Sequence, residues 1–268
     1  MRRINQTETL KEQVKSYWDA HPCGTQFTDL AWGSKEFFDA VENFRYHIQP
    51  FMHELAGFDR YRGKRVLEVG CGLGTDLVQF ARGGAIVTGI DLSSTSIELV
   101  KKRFALYGLS VDARTADAEH LPFDENSFDL VYSFGVLHHT PNTQKALDEV
   151  YRVLKPGGEC TIMLYHKHSL HVWLGVAWHW LRGTPRRVNS LLEDWVRVYD
   201  GVENPLGKAY SRAEARRMFS AFSDLTIVVC DPIRRRLPSF ANAVNQSLFA
   251  RWFGFWMVVQ GRKPLADR

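Results

Sequence analysis

Two hydrophobic periods alternate through the middle of this chain. RVLEV (65–69), AIVTGI (85–90), DLVYSF (129–134) and CTIMLY (160–165) are apolar along most of their length, and VDART (111–115) is a shorter, more polar run. Between them, apolar residues recur at helical spacing from about Thr75, over Ser93–Tyr107 and over Thr143–Leu154. Apolar strands separated by helices predict a parallel sheet covered on both faces. Ahead of this core, Thr9 with Glu12 predicts a capping box that opens a helix through Tyr17 and Trp18, broken by His21-Pro22-Cys23-Gly24. A second helix is expected after Ser34 toward Pro50, because Phe37, Phe38, Val41, Phe44 and Ile48 keep a helical period. Residues 166–222 are rich in Trp and Arg, helical in texture, and carry another capping box at Ser211 and Glu214. LTIVVC (225–230) and FWMVVQ (255–260) read as closing strands. The expected organisation is a helical cap over 1–60, an α/β core over 61–165, a helical insertion over 166–222 and the last two strands within 223–268.

Composition narrows the class. The chain has 268 residues, 45% hydrophobic and 24% charged, with 10 prolines against 20 glycines, which excludes disordered and collagen-like architectures. Cys23, Cys71, Cys160 and Cys230 lie far apart with no C-x-x-C pair, so a reducing, cytoplasmic setting is expected and a zinc site is not. A net charge of +4 neither demands nor excludes a polyanionic partner. Met1-Arg2-Arg3 opens like a signal peptide, but no apolar stretch follows it. The most apolar run, Val172 to Leu181, is ten residues long, whereas a spanning helix needs about 20.

The strongest local signal is VLEVGCGLGTD (66–76), a strand entering three alternate glycines and then a helix. Glycine there permits a sharp turn and lets a ligand lie against backbone near a helix start. A dinucleotide fingerprint would want Gly or Ala at position 75, which is Thr75. Asp91 ends the next strand, where a carboxylate accepts hydrogen bonds from a ribose diol; that acid alone would also suit NAD. Asp117 follows the third strand, where it would accept from an adenine amino group. Glycine loop, acid and acid at three successive strand ends form an adenosine-binding edge without a pyrophosphate cradle.

These motifs, with GIDLS, DAEHLPFDENSFDLVYSFGVLHHTPN and LKPGG in this order, resemble the class I S-adenosylmethionine (SAM)-dependent methyltransferases, most closely the ubiquinone/menaquinone C-methyltransferase-like branch. The resemblance covers about residues 60–165. It implies a Rossmann-like, seven-stranded sheet, mostly parallel with its last strand antiparallel, and SAM across the strands' carboxyl ends, leaving S-adenosylhomocysteine as product. Carried over by position, Gly70, Gly72 and Gly74 would pass beneath the methionine and ribose, and Glu68 would hold the loop and the amino end. Asp91 would take the ribose hydroxyls, Leu92 would pack on adenine, Asp117 and the Ala118 amide would meet its edge, and Ser133 and Phe134 would line the methionine part. LKPGG would be structural, a helix stop followed by a tight turn.

Methyl transfer from a sulfonium needs an aligned acceptor, exclusion of water and, for many acceptors, removal of a proton. His138 is the expected proton acceptor, although loop structure explains GVLHHTPN equally well. Tyr17 is expected as a residue capping the cofactor, although it would also serve as the anchor of a docking helix. Trp18, Tyr46, Tyr165, His166 and Trp173 are expected around the substrate. His166, His168 and His171 read as structural histidines, since no carboxylate or cysteine completes a metal set.

The acceptor is expected to be a small, apolar or aromatic molecule. Ser133-Phe134-Gly135-Val136 lacks the motif of nucleic-acid amino methyltransferases, Cys160 stands at the wrong strand end for a cytosine C5 nucleophile, and Arg234-Arg235-Arg236 is weak evidence for nucleic acid. The tryptophans at 173, 178 and 180, with Arg182, Arg186 and Arg187, read first as a buried cap helix. Their sharper reading is a hydrophobic pocket touching a membrane surface through 172–187. Two alternatives stay open: a nicotinamide-dependent oxidoreductase and a SAM-binding module without chemistry.

Overall fold

In the computed structural model, residues 2–181, 196, 200–201, 203–230 and 250–265 are described. The first five strands are β1 (Arg65–Val69), β2 (Ile86–Asp91), β3 (Asp112–Thr115), β4 (Phe128–Phe134) and β5 (Leu154–His166). A two-residue strand, β6 (Ala209–Tyr210), pairs with the end of β5, and β7 (Ser223–Cys230) and β8 (Trp256–Arg262) close the sheet. The strand order is β3-β2-β1-β4-β5-β8-β7, with β8 antiparallel to both its neighbours and the other pairings parallel. The expected seven-strand plan is therefore present, with the short β6 added beside it. Because the order reverses between β1 and β4, the chain leaves those strands in opposite directions and opens a crevice at their carboxyl ends.

The helices follow from the same pattern: α4 (Thr75–Arg82), α5 (Ser94–Leu106) and α6 (Thr143–Val153) connect successive strands. Side chains alternate across the sheet. Leu67 and Val69 of β1 join Val131, Leu147, Val150 and Ile162 in one fully buried cluster. Val66 joins Leu130, Tyr132, Phe80 and Phe104 in another on the opposite face. This two-sided burial is what makes β1 and β4 apolar along their length, and why the alternation of strand and helix was readable.

Outside the core, α1 (Arg2–Ala20) lies along α5, where Asp19 accepts from the Ser93 hydroxyl at 2.8 Å. Thr9 thus lies inside a helix that starts at Arg2, and the expected capping box does not open it. Ser34 caps α2 (Lys35–Ile48) through the Phe37 amide, and α3 (Met52–Ala56) follows. Ser211 and Glu214 form both bonds of a capping box at α8 (Arg212–Met218). α7 (Leu170–Leu181) carries the apolar run, and α9 (Ala250–Phe253) precedes β8. LKPGG is not a separate turn. It is absorbed into β5, whose register against β4 shifts between Phe128 and Leu130 to accommodate it, with Gly157 at φ 78°. Arg182, Arg186, Arg187 and Arg234–Arg236 lie outside the described residues. Among the described residues, no helix is long and apolar enough to cross a membrane.

Candidate active site

β1 ends at Val69, and Gly70 to Gly74 turn the chain into α4. All three glycines are left-handed, with φ of 75°, 51° and 68°, but their surroundings differ. A Cβ on Gly70 would stand 2.2 Å from the Val136 side chain, and one on Gly74 would stand 3.2 Å from Val100. A Cβ on Gly72 would meet nothing within 4 Å. Gly70 and Gly72 both line a cavity of about 940 Å³, which lies along the carboxyl ends of the strands. Gly74 does not line it; it stands at the N-terminal cap of α4. The glycine motif thus holds two packing positions, Gly70 and Gly74, and one position, Gly72, open to a ligand.

Carboxylates surround that turn. Asp91, at the end of β2, accepts from the Gly72 amide and the Ser93 amide, each at 2.9 Å, which ties the strand end to the glycine loop. Burial raises its pKa, against these two bonds. Each of its oxygens keeps accepting capacity for a ligand hydroxyl. Leu92 and Ala118 also line the cavity. Asp117, after β3, accepts from the Glu119 amide at 2.9 Å and from the Lys11 ammonium at 2.6 Å. Burial alone would raise the Asp117 pKa, but Lys11, the Glu119 amide and His120 hold it below the ordinary value.

Glu68, also in the lining, is buried, and its Oε2 has no hydrogen-bond partner. Burial first and the neighbouring Asp76 second push its pKa well above the ordinary carboxylate value, only partly offset by Arg45. Gln49, in the lining of the same cavity, also buries an unpaired side-chain oxygen. Asp76, by contrast, is fully engaged. Arg45 grips both its oxygens, with Nε at 2.8 Å from Oδ1, and the Tyr46 and Tyr132 hydroxyls each donate to it at 2.9 Å. Tyr46 therefore braces Asp76 and does not line the cavity. Ser133 is also withdrawn, donating to the Val69 carbonyl at 2.8 Å, while Phe134 lines the wall beneath the Arg45 guanidinium.

Uncompensated acceptors at Glu68 and Gln49, with an acid at the end of β2 and another after β3, suit a ligand that is cationic at one end and adenosine at the other. They suit a dinucleotide poorly, because Glu68, Asp76 and Asp91 crowd the place where a pyrophosphate would sit. The residues present therefore fit SAM.

The other end of the cavity differs from expectation. Its walls are Met163, Trp178, Phe255 and Trp256, and its polar corner is His139, Tyr165 and Asp200. His138 is fully buried behind that corner, with its ring 3.9 Å from the Tyr165 ring, and does not line the cavity. Burial, then His139 and Lys208, keep its pKa well below the ordinary histidine value, against a weaker pull from the Met163 backbone. A site for the proton acceptor is thus offered one residue later, at His139. Tyr17 does not reach the cavity: its hydroxyl donates to the Asp200 carbonyl at 2.8 Å and anchors α1. Trp18 does line it. His166 is buried with its ring at 3.0 Å from the Gly254 carbonyl, and burial lowers its pKa to about 4 against the opposing pull of that bond. Trp173 points outward, 45% exposed, while Leu174 and Trp178 of the same helix face the cavity mouth. Asp200 and Lys11 had no local motif to mark them. Their partners are 35 and 106 positions away or more, and only the fold brings them together.

Residues 67–162 match the profile of the family described as Methyltransferase domain. The phthiotriol/phenolphthiotriol dimycocerosates methyltransferase of Mycobacterium tuberculosis is 44% identical over 116 residues, covering 42% of this chain and 42% of the relative. The cycloartenol-C-24-methyltransferase of Arabidopsis thaliana is 34% identical over 163 residues, covering 58% of this chain and 46% of the relative. The chain thus spans under half the length of these curated relatives. A solved structure of Haemonchus contortus phosphoethanolamine N-methyltransferase 2 with SAM superposes with a TM-score of 0.63 at 20% identity, covering 94% of this chain and 60% of that one, a likeness of fold. Together the sheet order, the ordered motifs and the family match make residues 67–162 a methyltransferase domain of the class I SAM-dependent fold.

Proposed function

We propose that this protein transfers the methyl group of SAM to a small, apolar molecule. The carrying observation is the buried Glu68 carboxylate with an unpaired oxygen, beside the Gly72 turn and at the floor of a cavity with aromatic walls. SAM supplies an electrophilic methyl on a sulfonium. The chain's own residues do the rest. Glu68 and Gln49 offer acceptors to the cationic end, Asp91 and Asp117 orient the nucleoside, and the Phe134, Phe255 and Trp256 side chains exclude water from the transfer site. Holding donor and acceptor in one enclosed volume removes most of the entropic cost of their meeting.

The apolar acceptor reading draws support from relatives named for a sterol precursor and for mycobacterial lipids, and from the aromatic lining. A quinone-like acceptor, as the resemblance to the ubiquinone/menaquinone branch suggests, fits the same walls. Trp173, Trp180 and Leu181, exposed on α7 next to the cavity mouth, would rest on a lipid surface and admit such a molecule, in a protein working in the cytoplasm.

The test is incubation with SAM bearing a deuterated methyl group and a panel of sterols, quinols and lipid alcohols, read by mass spectrometry. A labelled apolar product is expected, with one S-adenosylhomocysteine released per methyl transferred. Tight SAM binding without turnover on any acceptor would favour the non-catalytic module instead.

A further inference from the structure

The polar corner of the cavity has more hydrogen-bond acceptors than protons to fill them. Asp200 Oδ1 and Oδ2 stand 2.9 and 2.8 Å from the single Tyr165 hydroxyl, which can donate to one of them at a time. His139 directs Nδ1 at the Leu206 carbonyl, in the loop where the Asn204 side chain also approaches the ring at 3.5 Å. A carbonyl accepts only, so Nδ1 carries a proton toward Leu206. Nε2 lies 3.1 Å from Asp200 Oδ2, yet the buried nitrogen makes no aligned hydrogen bond. A buried ring nitrogen and a carboxylate oxygen this close without an aligned hydrogen bond are costly unless a ligand group bridges them.

We propose that Asp200, with His139 and Tyr165, is the subsite for a hydroxyl group on the methyl acceptor and takes its proton during transfer, so that the methylated atom is oxygen. The inference rests on the methyl-transfer reading above. One hydroxyl can donate to the Asp200 oxygen that Tyr165 leaves open, and the apolar walls take the rest of the molecule. An ammonium would be less suited. Lys208 already brings a positive charge to this rim, donating to the Thr140 and Pro141 carbonyls at 2.8 Å each, and both of those residues line the cavity. In the transfer, the acceptor's O–H bond breaks and its proton is left between Asp200 and His139 Nε2. The oxygen lone pair forms the new C–O bond, while the electrons of the breaking C–S bond leave with the neutral thioether. Tyr165 is a positioning residue, since its hydroxyl fixes the Asp200 carboxylate. The subsite joins residues 139, 165 and 200 on three separate segments, and no linear motif contains it.

The test uses the full chain saturated with S-adenosylhomocysteine, whose binding is measured first by calorimetry. 1-Decanol, its methyl ether 1-methoxydecane and decylamine are then titrated separately. The alcohol should bind at least about tenfold more tightly than the ether, the usual worth of a hydrogen bond to a charged group. Asp200→Ala should reduce that preference to under about threefold while leaving the affinity for S-adenosylhomocysteine unchanged. If Asp200→Ala does not fold, Asp200→Leu and Tyr165→Phe, which keep bulk at the corner, carry the same comparison. Equal affinity for alcohol and ether, tighter binding of decylamine, or a preference that survives in the Asp200 variants overturns the hydroxyl subsite alone. So does binding of one cobalt(II) per chain lost in His139→Ala, since His138, His139 and Asp200 place ligand atoms within 4.8 Å of one another. Failure to bind S-adenosylhomocysteine overturns the methyl-transfer reading itself, and this inference with it.

Discussion

The donor end of the cavity comes from one stretch of chain, whereas its acceptor end is collected from across the molecule. Glu68, Gly72, Asp91, Asp117 and Phe134 stand at the ends of β1 to β4 or in the turns just beyond them, and the parallel register sets them side by side. Trp18, His139, Tyr165, Trp178, Asp200 and Trp256 belong to six different segments. A site built on successive strand ends inherits its geometry from the sheet, so it can be recognised as a run of spaced motifs. A site gathered from separate helices, strands and loops has no such spacing. It is also free to change its chemistry without disturbing the sheet, which is how one fold serves many acceptors.

The largest effect should separate the glycines. Gly72→Val places a branched side chain into the cavity at φ 51°, and should cost SAM binding about 3 kcal/mol, roughly a hundredfold. Gly70→Val collides with Val136, so its main effect should be a fall in melting temperature. Calorimetric SAM binding and thermal unfolding of both variants would break the contrast if the two behaved alike.

Asp91→Ala comes next. It should weaken SAM by about 1.5–3 kcal/mol, the range for hydrogen bonds to a charged group, and Asp117→Ala by less. Because Asp91 also accepts from the Gly72 and Ser93 amides, part of its loss should show as a looser glycine loop, visible as faster amide exchange at Gly72. Unchanged affinity in a folded Asp91→Ala protein would remove the ribose role.

Glu68 gives a pH signature for the donor end. Its pKa in the free protein is raised by burial and by Asp76, so it holds a proton above the ordinary carboxylate range. A cation beside it favours the ionised form, so SAM binding should release a proton. Affinity should therefore rise with pH and level off above the raised pKa. Titrations in two buffers of different ionisation enthalpy measure that release, and Glu68→Gln should abolish it.

The smallest effect should be at the α1 latch. Lys11 meets Asp117 at 2.6 Å and Glu119 at 2.9 Å, and Lys11→Met should loosen α1 by up to about 1 kcal/mol. The folded Asp117 pKa lies below the ordinary value, so this contribution is present above about pH 4 and is lost as pH falls through the lowered pKa. Limited proteolysis before residue 30 should be faster in the variant and slower when SAM is bound. Equal cleavage with and without SAM would count against α1 as a lid.

Much of the core could be read from the chain because burial writes itself into periodicity. RVLEV is β1 residue for residue, and the parallel sheet follows from strands apolar on both faces. Ser34 and Ser211 mark true helix starts through local hydrogen bonds. Thr9 misleads because the same residue spacing also occurs inside a longer helix, where no free amides await a cap. At the site, the carboxylates of the donor end are legible because each stands near the carboxyl end of a strand or just past it. Ser133 and Tyr46, expected around the ligands, turn inward to Val69 and Asp76, a choice made by hydrogen-bond partners far along the chain. His138 and His139 are indistinguishable as letters. The short helical turn Leu137–His139 buries the first ring and sends the second to Leu206 and Asp200, residues that only the tertiary fold brings near.

Calorimetric titration of the full chain with SAM and, separately, with NADH distinguishes a SAM site at the carboxylate-lined end of the cavity from a dinucleotide site. SAM should bind at one per chain with release of a proton that Glu68→Gln removes, and NADH should bind at least about a hundredfold more weakly, a gap of roughly 2.7 kcal/mol. NADH binding as tightly as SAM, or SAM binding unchanged in both Asp91→Ala and Glu68→Gln, would contradict the SAM site.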